Sequence, residues 1–139
     1  MRQAIAQIEV DTQGRGLVEI TRAAAGFVDA QNMTSGLLTL FCRHTSASLL
    51  IQENADPDVR ADLEAFFSRL APEGAGLYIH DLEGADDISA HIRAALTQTQ
   101  LAVPVADGKM LLGTWQGVYL YEHRRAPSRR RVALHLIGG

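Results

Sequence analysis

Cysteine is nearly missing from this sequence. Cys42 is the one thiol in 139 residues, so no intrachain disulfide can staple the fold. A chain built this way suits a reducing, cytoplasmic setting. Proline stands at 4 positions and glycine at 12, which excludes collagen and Pro/Gly-rich disorder. No stretch approaches the ~18 consecutive apolar residues of a membrane helix, so no membrane partner is expected. Basic charge is not in excess either: 13 Lys+Arg stand against 16 Asp+Glu, a net of -3. Proteins that coat DNA or RNA are usually basic overall, so nucleic acid is not an expected partner. Met1-Arg2-Gln3 runs into Glu9 and Asp11 before any apolar run develops, which is unlike a secretory signal. The phosphate-cradling loop G-x-x-x-x-G-K-[ST] does not occur, nor do C-x-x-C or H-E-x-x-H.

What is present fits one globular domain spanning 1–139. The mean hydropathy is -0.01, and a chain of this length buries roughly two-thirds of its unfolded surface. Residues 3–10 read as a strand, 14–16 as a turn and 17–20 as a short strand. Thr21 is a plausible N-cap for a helix over 23–31. Strands follow at 37–43 and through 44–51. Asp56-Pro57-Asp58 is a strong helix start, and Val59, Leu63, Phe66, Phe67 and Leu70 give it an apolar stripe. The helix ends before Pro72 and the loop 73–76. A second acidic loop, 84–87, precedes a helix over 88–96 whose inner face reads as Ile88, Ile92 and Ala95. Strands at 101–105 and 109–112 flank the tight turn Asp107-Gly108. Two more strands cover 115–124 and 131–137, separated by a loop at 125–130. Helices and strands do not alternate regularly and the end of the chain is a meander, so the fold class is α+β, an antiparallel sheet flanked by about three helices.

Among five histidines, His44, His80, His91 and His123 stand in polar company, whereas His135 does not. A lone histidine on a helix stripe, such as His91, is commonly a core residue satisfied by one hydrogen bond. Three that converge with an open position make the usual catalytic zinc site. Asp56 and Asp87 read first as helix caps, and Asp58, Asp62 and Glu64 as a solvated face. Glu53-Asn54 lies where a strand meets a helix N-terminus, a place that can bind an anion. Arg124, Arg125, Arg129, Arg130 and Arg131 crowd into eight residues, either as a solvated loop or as a phosphate clamp. Trp115-Gln116 can be a packing residue with a polar neighbour, or a flat wall with a donor for a planar ligand. By strand alternation Trp115, Tyr119, Tyr121 and His123 share one face, opposite Gln116, Val118, Leu120, Glu122 and Arg124. Cys42 reads as a buried structural thiol rather than a partner of His44.

Several segments together resemble one family. They are Phe41-Cys42-Arg43-His44-Thr45-Ser46-Ala47-Ser48-Leu49, Glu53-Asn54-Ala55-Asp56-Pro57-Asp58-Val59, Gly84-Ala85-Asp86-Asp87 with Ala90-His91-Ile92, Leu112-Gly113-Thr114-Trp115-Gln116-Gly117 and Glu122-His123-Arg124. The pattern is similar to the YjbQ-like family, labelled secondary thiamine-phosphate synthases, from about residue 5 onward. The resemblance implies an antiparallel sheet flanked by helices, a homotrimer, and a pocket near the subunit boundary. It implies transferase chemistry that joins a pyrimidine pyrophosphate to a thiazole phosphate.

On that basis His44, Glu53, Asp56 and Arg124 are candidate catalytic groups. Ser46, Asn54, Trp115, Gln116 and Arg124 are candidate contacts to a small phosphorylated substrate. His80, His91 and His123 are candidate ligands of a divalent metal, with zinc favoured over magnesium because the donors are nitrogens. Two alternatives use the same residues. One is zinc-assisted hydrolysis of an ester or amide, with Glu53 or Asp56 as general base. The other is a non-enzymatic ligand-binding trimer held together by the polar cluster.

Overall fold

Along the last strand, buried and exposed side chains alternate, and Val132, Leu134 and Leu136 point inward. That period-two pattern is what a sheet with one face on a core requires. The computed structural model describes residues 1–139 apart from Ala75, so the middle of the expected loop 73–76 lies outside the described residues. In chain order the elements are β1 (Arg2–Thr12), β2 (Gly16–Glu19), α1 (Thr21–Gln31), β3 (Gly36–Cys42), β4 (Ala47–Glu53) and α2 (Pro57–Leu70). They continue with α3 (Asp87–Leu96), β5 (Gln100–Ala106), β6 (Lys109–Met110), β7 (Gln116–Glu122) and β8 (Ser128–Gly138).

The strands form two antiparallel sheets where one was expected. Five strands run in the order β1-β8-β3-β5-β6, and three in the order β2-β7-β4. The two sheets share one core. Leu38, Leu40, Leu101, Val103, Val132, Leu134 and Leu136 come from the larger sheet, and Leu49, Val118 and Leu120 from the smaller. Helix α1 adds Ala24 and Val28 to the same core. The other face of β7 is also buried. There the Tyr121 ring meets Phe67 of α2 edge-on at 5.8 Å, and Tyr119 Oη accepts from Arg60 at 2.9 Å. Val118-Tyr119-Leu120-Tyr121 therefore alternates as the sequence suggested, but aliphatic side chains face the other sheet and aromatic ones face α2.

Local chemistry sets the ends of the elements. Asp56 caps α2 by accepting from Asp58 N at 2.9 Å, with Pro57 at the first position. Thr21 does not cap α1, which begins at Thr21 itself; its hydroxyl accepts from Val118 N at 2.9 Å and ties the helix start to β7. Asp107 and Gly108 have φ of 50° and 74°, the left-handed pair that a two-residue hairpin needs. Helix α3 departs most from expectation. Its buried side is Asp87, Ser89, Ala90 and Arg93, while Ile88 and Ile92 are half-buried and Ala95 is exposed. Arg93 is held inward by bonds from Nη1 to Glu64 Oε1 (2.8 Å) and from Nη2 to Ser68 Oγ (3.2 Å). Ser89 is held there by donating to Ala71 O at 2.5 Å.

Leu120 is fully buried between the two sheets. Leu120→Ala is expected to cost about 2–5 kcal/mol in urea denaturation. A loss below about 1 kcal/mol would show that the space between the sheets is not close-packed.

Candidate functional site

Helix α3 opens with two acids, and neither uses its carboxylate as a side-chain cap. Asp86 Oδ2 accepts from Arg124 Nε (3.1 Å) and Arg125 N (2.9 Å). Asp87 Oδ1 accepts from Arg124 Nη1 at 2.5 Å. Asp87 Oδ2 lies between two imidazoles, 2.8 Å from His80 Nε2 and 3.0 Å from His91 Nε2. His91 stands one helical turn after Asp87, so the helix itself places the two on one face. Burial pushes the Asp87 carboxyl up. The His80 hydrogen bond and the charges of His91 and Arg124 outweigh that and hold it below the usual carboxylate range. One donor atom from each of His80, Asp87 and His91 lies within 4.8 Å of the others.

The ring of His91 is tied at both nitrogens. Nδ1 lies 2.9 Å from Thr45 O, and Nε2 faces Asp87 Oδ2, so both partners are acceptors. Hydrogen bonds alone would require a hydrogen on each nitrogen. A divalent metal held by His80, Asp87 and His91 would take the place of the second hydrogen and leave the Thr45 bond intact. A ligating histidine commonly anchors its other nitrogen on a carbonyl in this way. The donor set is two imidazoles and one carboxylate, the kind zinc takes. Side-chain exposures of 49% for His80 and 34% for His91 leave the cluster open to small molecules.

His123 is not brought to this cluster, and Asp87 stands where it was expected. The ring is fully buried on the aromatic face of β7, with Nε2 at 2.8 Å from Ser48 Oγ. Its Nδ1 has no partner among the described residues. Burial, reinforced by the charge of Arg93, pulls its pKa down to about 3. Next to it, Glu122 is fully buried and paired with Arg130, Nε to Oε1 at 2.7 Å and Nη2 to Oε2 at 2.5 Å.

The remaining expected site residues fall into two groups. Glu53, Asn54, Asp56, Trp115 and Gln116 collect at one end of β4 and β7, where Glu53 pairs with Gln116. There they serve local structure. Glu53 Oε2 accepts from Ala55 N (3.0 Å) and Asp56 N (2.8 Å), and Gln116 Oε1 accepts from Gly113 N (2.8 Å). Asn54 N donates to Trp115 O at 3.0 Å, and Trp115 is 63% exposed. The other end of the same ladder pairs Ala47 with Glu122. Six residue steps separate the ends, about 20 Å. His44, Ser46, His123, Arg124 and the metal-type cluster belong to that second end. In one chain, Glu53 and Asp56 are therefore remote from His80, Asp87 and His91.

The arginine run does not act as one clamp. Arg124 holds Asp86 and Asp87, Arg125 approaches Glu73, Arg129 binds Asp11, and Arg130 binds Glu122. Loop 43–46 forms one wall of an open cavity of ≈ 730 Å³, lined by Cys42, Arg43, His44, Ser46, Thr99 and Arg130 among others. Cys42 is buried, and burial pushes its thiol up. Residues 6–139 match the family model described as UPF0047 protein YjbQ-like.

The chain belongs to the YjbQ-like family. Its relatives include a UPF0047 protein of Synechocystis, 50% identical over 129 residues, 93% of this chain and 88% of that one. The YjbQ protein of Escherichia coli O157:H7 is 47% identical over 110 residues, 79% of each chain. A YjbQ/UPF0047 crystal structure from Clostridium acetobutylicum matches this YjbQ-like chain with a TM-score of 0.87 at 34% identity, covering 95% of this chain and 99% of that one. A conserved hypothetical protein from Thermus thermophilus does so with 0.84 at 36%, with the same coverage. No helix among the described residues is long and apolar enough to cross a membrane.

Sequence reasoning read Asp87 as a cap because an acid before a helix most often is one. The one signal available was its i, i+4 spacing to His91. His123 gives this YjbQ-like chain a pH dependence. Its folded pKa lies near 3, below the ordinary 6.5, so the unfolded chain binds the extra proton between those values. Its contribution to stability is complete above about pH 6.5 and is lost as pH falls toward 3. Between pH 6.5 and 5 the wild type is expected to lose up to about 1.4 kcal/mol per pH unit more than His123→Gln. Parallel curves in chemical denaturation would refute that assignment.

Proposed function

We propose that the chain is a metal-dependent enzyme acting in the cytoplasm on a small phosphorylated molecule, with His80, Asp87 and His91 as the metal ligands. The observation that carries this reading is Asp87 Oδ2 placed between two imidazole Nε2 atoms. Zinc is favoured over magnesium because two of the three donors are nitrogens. When bound, such an ion supplies Lewis-acid stabilisation of negative charge on a phosphoryl oxygen or leaving group.

The chain's own residues prepare the site. Arg124 holds the second Asp87 oxygen and so fixes the rotation of the carboxylate. Thr45 O fixes the plane of His91. A small cavity of ≈ 150 Å³, lined by Tyr78, His80, Asp81, Gly84 and Ile88, opens beside His80. His44 lies on the loop that holds His91 and is the group we assign to proton transfer. Burial and the neighbouring Arg130 keep its pKa below the ordinary histidine value. Coupling of a pyrimidine pyrophosphate to a thiazole phosphate is the first reaction to assay.

A homotrimer belongs to the same reading. It would let a neighbouring chain bring its Trp115 end toward this cluster, which one chain cannot do across about 20 Å of ladder. The exposed Trp115, Leu111, Leu77 and Ile79 are apolar surface available for that contact.

Chelator-washed protein is expected to take up about one zinc per chain. Asp87→Asn and His91→Ala, both folded by circular dichroism, are expected to lose it, while His123→Gln keeps it. Elemental analysis after dialysis reads the result. Folded wild type that retains no zinc ends the proposal, and so does retention by the Asp87 and His91 variants.

A further inference from the structure

We propose that the cavity beside loop 43–46 binds an oxyanion of the phosphate class between His44 Nδ1–H and Arg130 Nη1. The inference rests on the reading that the substrate is phosphorylated and names where its phosphate is held. It starts from a conflict of donors. The backbone N–H of Arg131 can only donate, and it lies 2.7 Å from His44 Nε2. Nε2 therefore accepts, and the neutral ring carries its hydrogen on Nδ1. That Nδ1 faces Arg130 Nη1 at 3.5 Å. Guanidinium nitrogens also only donate, so two donors point toward each other with no acceptor between them.

Arg130 cannot turn away. Its side chain is about nine-tenths buried, with Nε and Nη2 committed to Glu122 and Nη2 also to Ser46 O (3.2 Å) and Ser46 Oγ (3.0 Å). Among the described residues Nη1 has no acceptor other than this misdirected contact with His44. Arg130 lines the open cavity, so an acceptor from outside the chain can reach this nitrogen. An anionic oxygen seated against both nitrogens would satisfy both at once.

Charge and space agree with this. The charges of Arg130, Arg131 and Arg43 act on His44 in the positive sense, opposed by Glu122. The cavity of ≈ 730 Å³ falls in the range of small-molecule sites, and Thr45, Ser46 and Thr99 are among the residues that line it. A guanidinium with a neutral imidazole donor suits a phosphate, which offers several acceptor oxygens. Because Thr45 both lines the cavity and holds His91, the anion would lie one residue away from the proposed metal ligands.

The test uses inorganic phosphate and chelator-washed protein, so that no metal contributes. Calorimetric titration is expected to show saturable phosphate binding, weakened about tenfold or more in His44→Phe, as loss of one hydrogen bond to a charged group implies. Nitrogen-15 spectra of the wild-type imidazoles give a second readout that needs no variant. His44 is expected as the Nδ1–H tautomer, with that proton shifting on phosphate addition. No saturable binding, equal binding by a folded His44→Phe, or a His44 ring protonated at Nε2 would each overturn the proposal. Phosphate bound where zinc is not upholds this site while the metal reading fails. Zinc bound where phosphate is not overturns this site and leaves the metal centre standing.

Discussion

Glu122 is fully buried and charged, and much of the molecule is arranged to satisfy it. Its Oε1 accepts from Thr12 Oγ1 and Arg130 Nε, both at 2.7 Å. Its Oε2 accepts from Arg130 Nη2 and from the backbone N–H groups of His123 and Arg124. Burial alone would push this carboxyl up, but Arg130 and Thr12 hold it low, so it stays ionised. Thr12 and Arg130 belong to β1 and β8 of the larger sheet, and Glu122 ends β7 of the smaller one. One carboxylate thus ties the two sheets at the end of the core where loop 43–46 and α3 meet. A buried pair of this kind adds little over apolar packing, but leaving one partner alone typically costs about 3–5 kcal/mol.

The rest of the polar region is anchored to this pair in sequence. Arg124 and His123 follow Glu122 directly, so fixing the end of β7 fixes the guanidinium that orients Asp86 and Asp87. Arg130 continues to Ser46, and the same loop passes Thr45 O to His91. The two proposed sites, one for a cation and one for an anion, therefore share a frame without sharing side chains.

Elements with strong local signals were legible in the sequence. Asp56-Pro57-Asp58 starts α2, Asp107-Gly108 turns the hairpin, and β7 alternates as read. Division into two sheets was not legible, because β2, β7 and β4 pair across long stretches of chain and apolar alternation does not name a partner strand. In α3 the apolar positions Ile88, Ile92 and Ala95 misled. Arg93 and Ser89 turn inward because distant Glu64, Ser68 and Ala71 O receive them. The same limit applied to the site. Histidines advertise themselves by type, so His80 and His91 were visible, but which of them meet was decided by tertiary pairing. His123 belongs to the buried face of β7 and Asp87 to the cluster.

The contact that sets the plane of His91 comes from the peptide carbonyl of Thr45, not from its side chain. Every amino acid at position 45 carries that same acceptor. A scan that swaps side chains would therefore leave this contact in place, although the ring's orientation depends on it. Only changes to the path of the backbone, such as an insertion in the loop or a proline that redirects it, would expose the dependence. The loop's importance is thus written in its length and course more than in the identity of the residue that makes the contact.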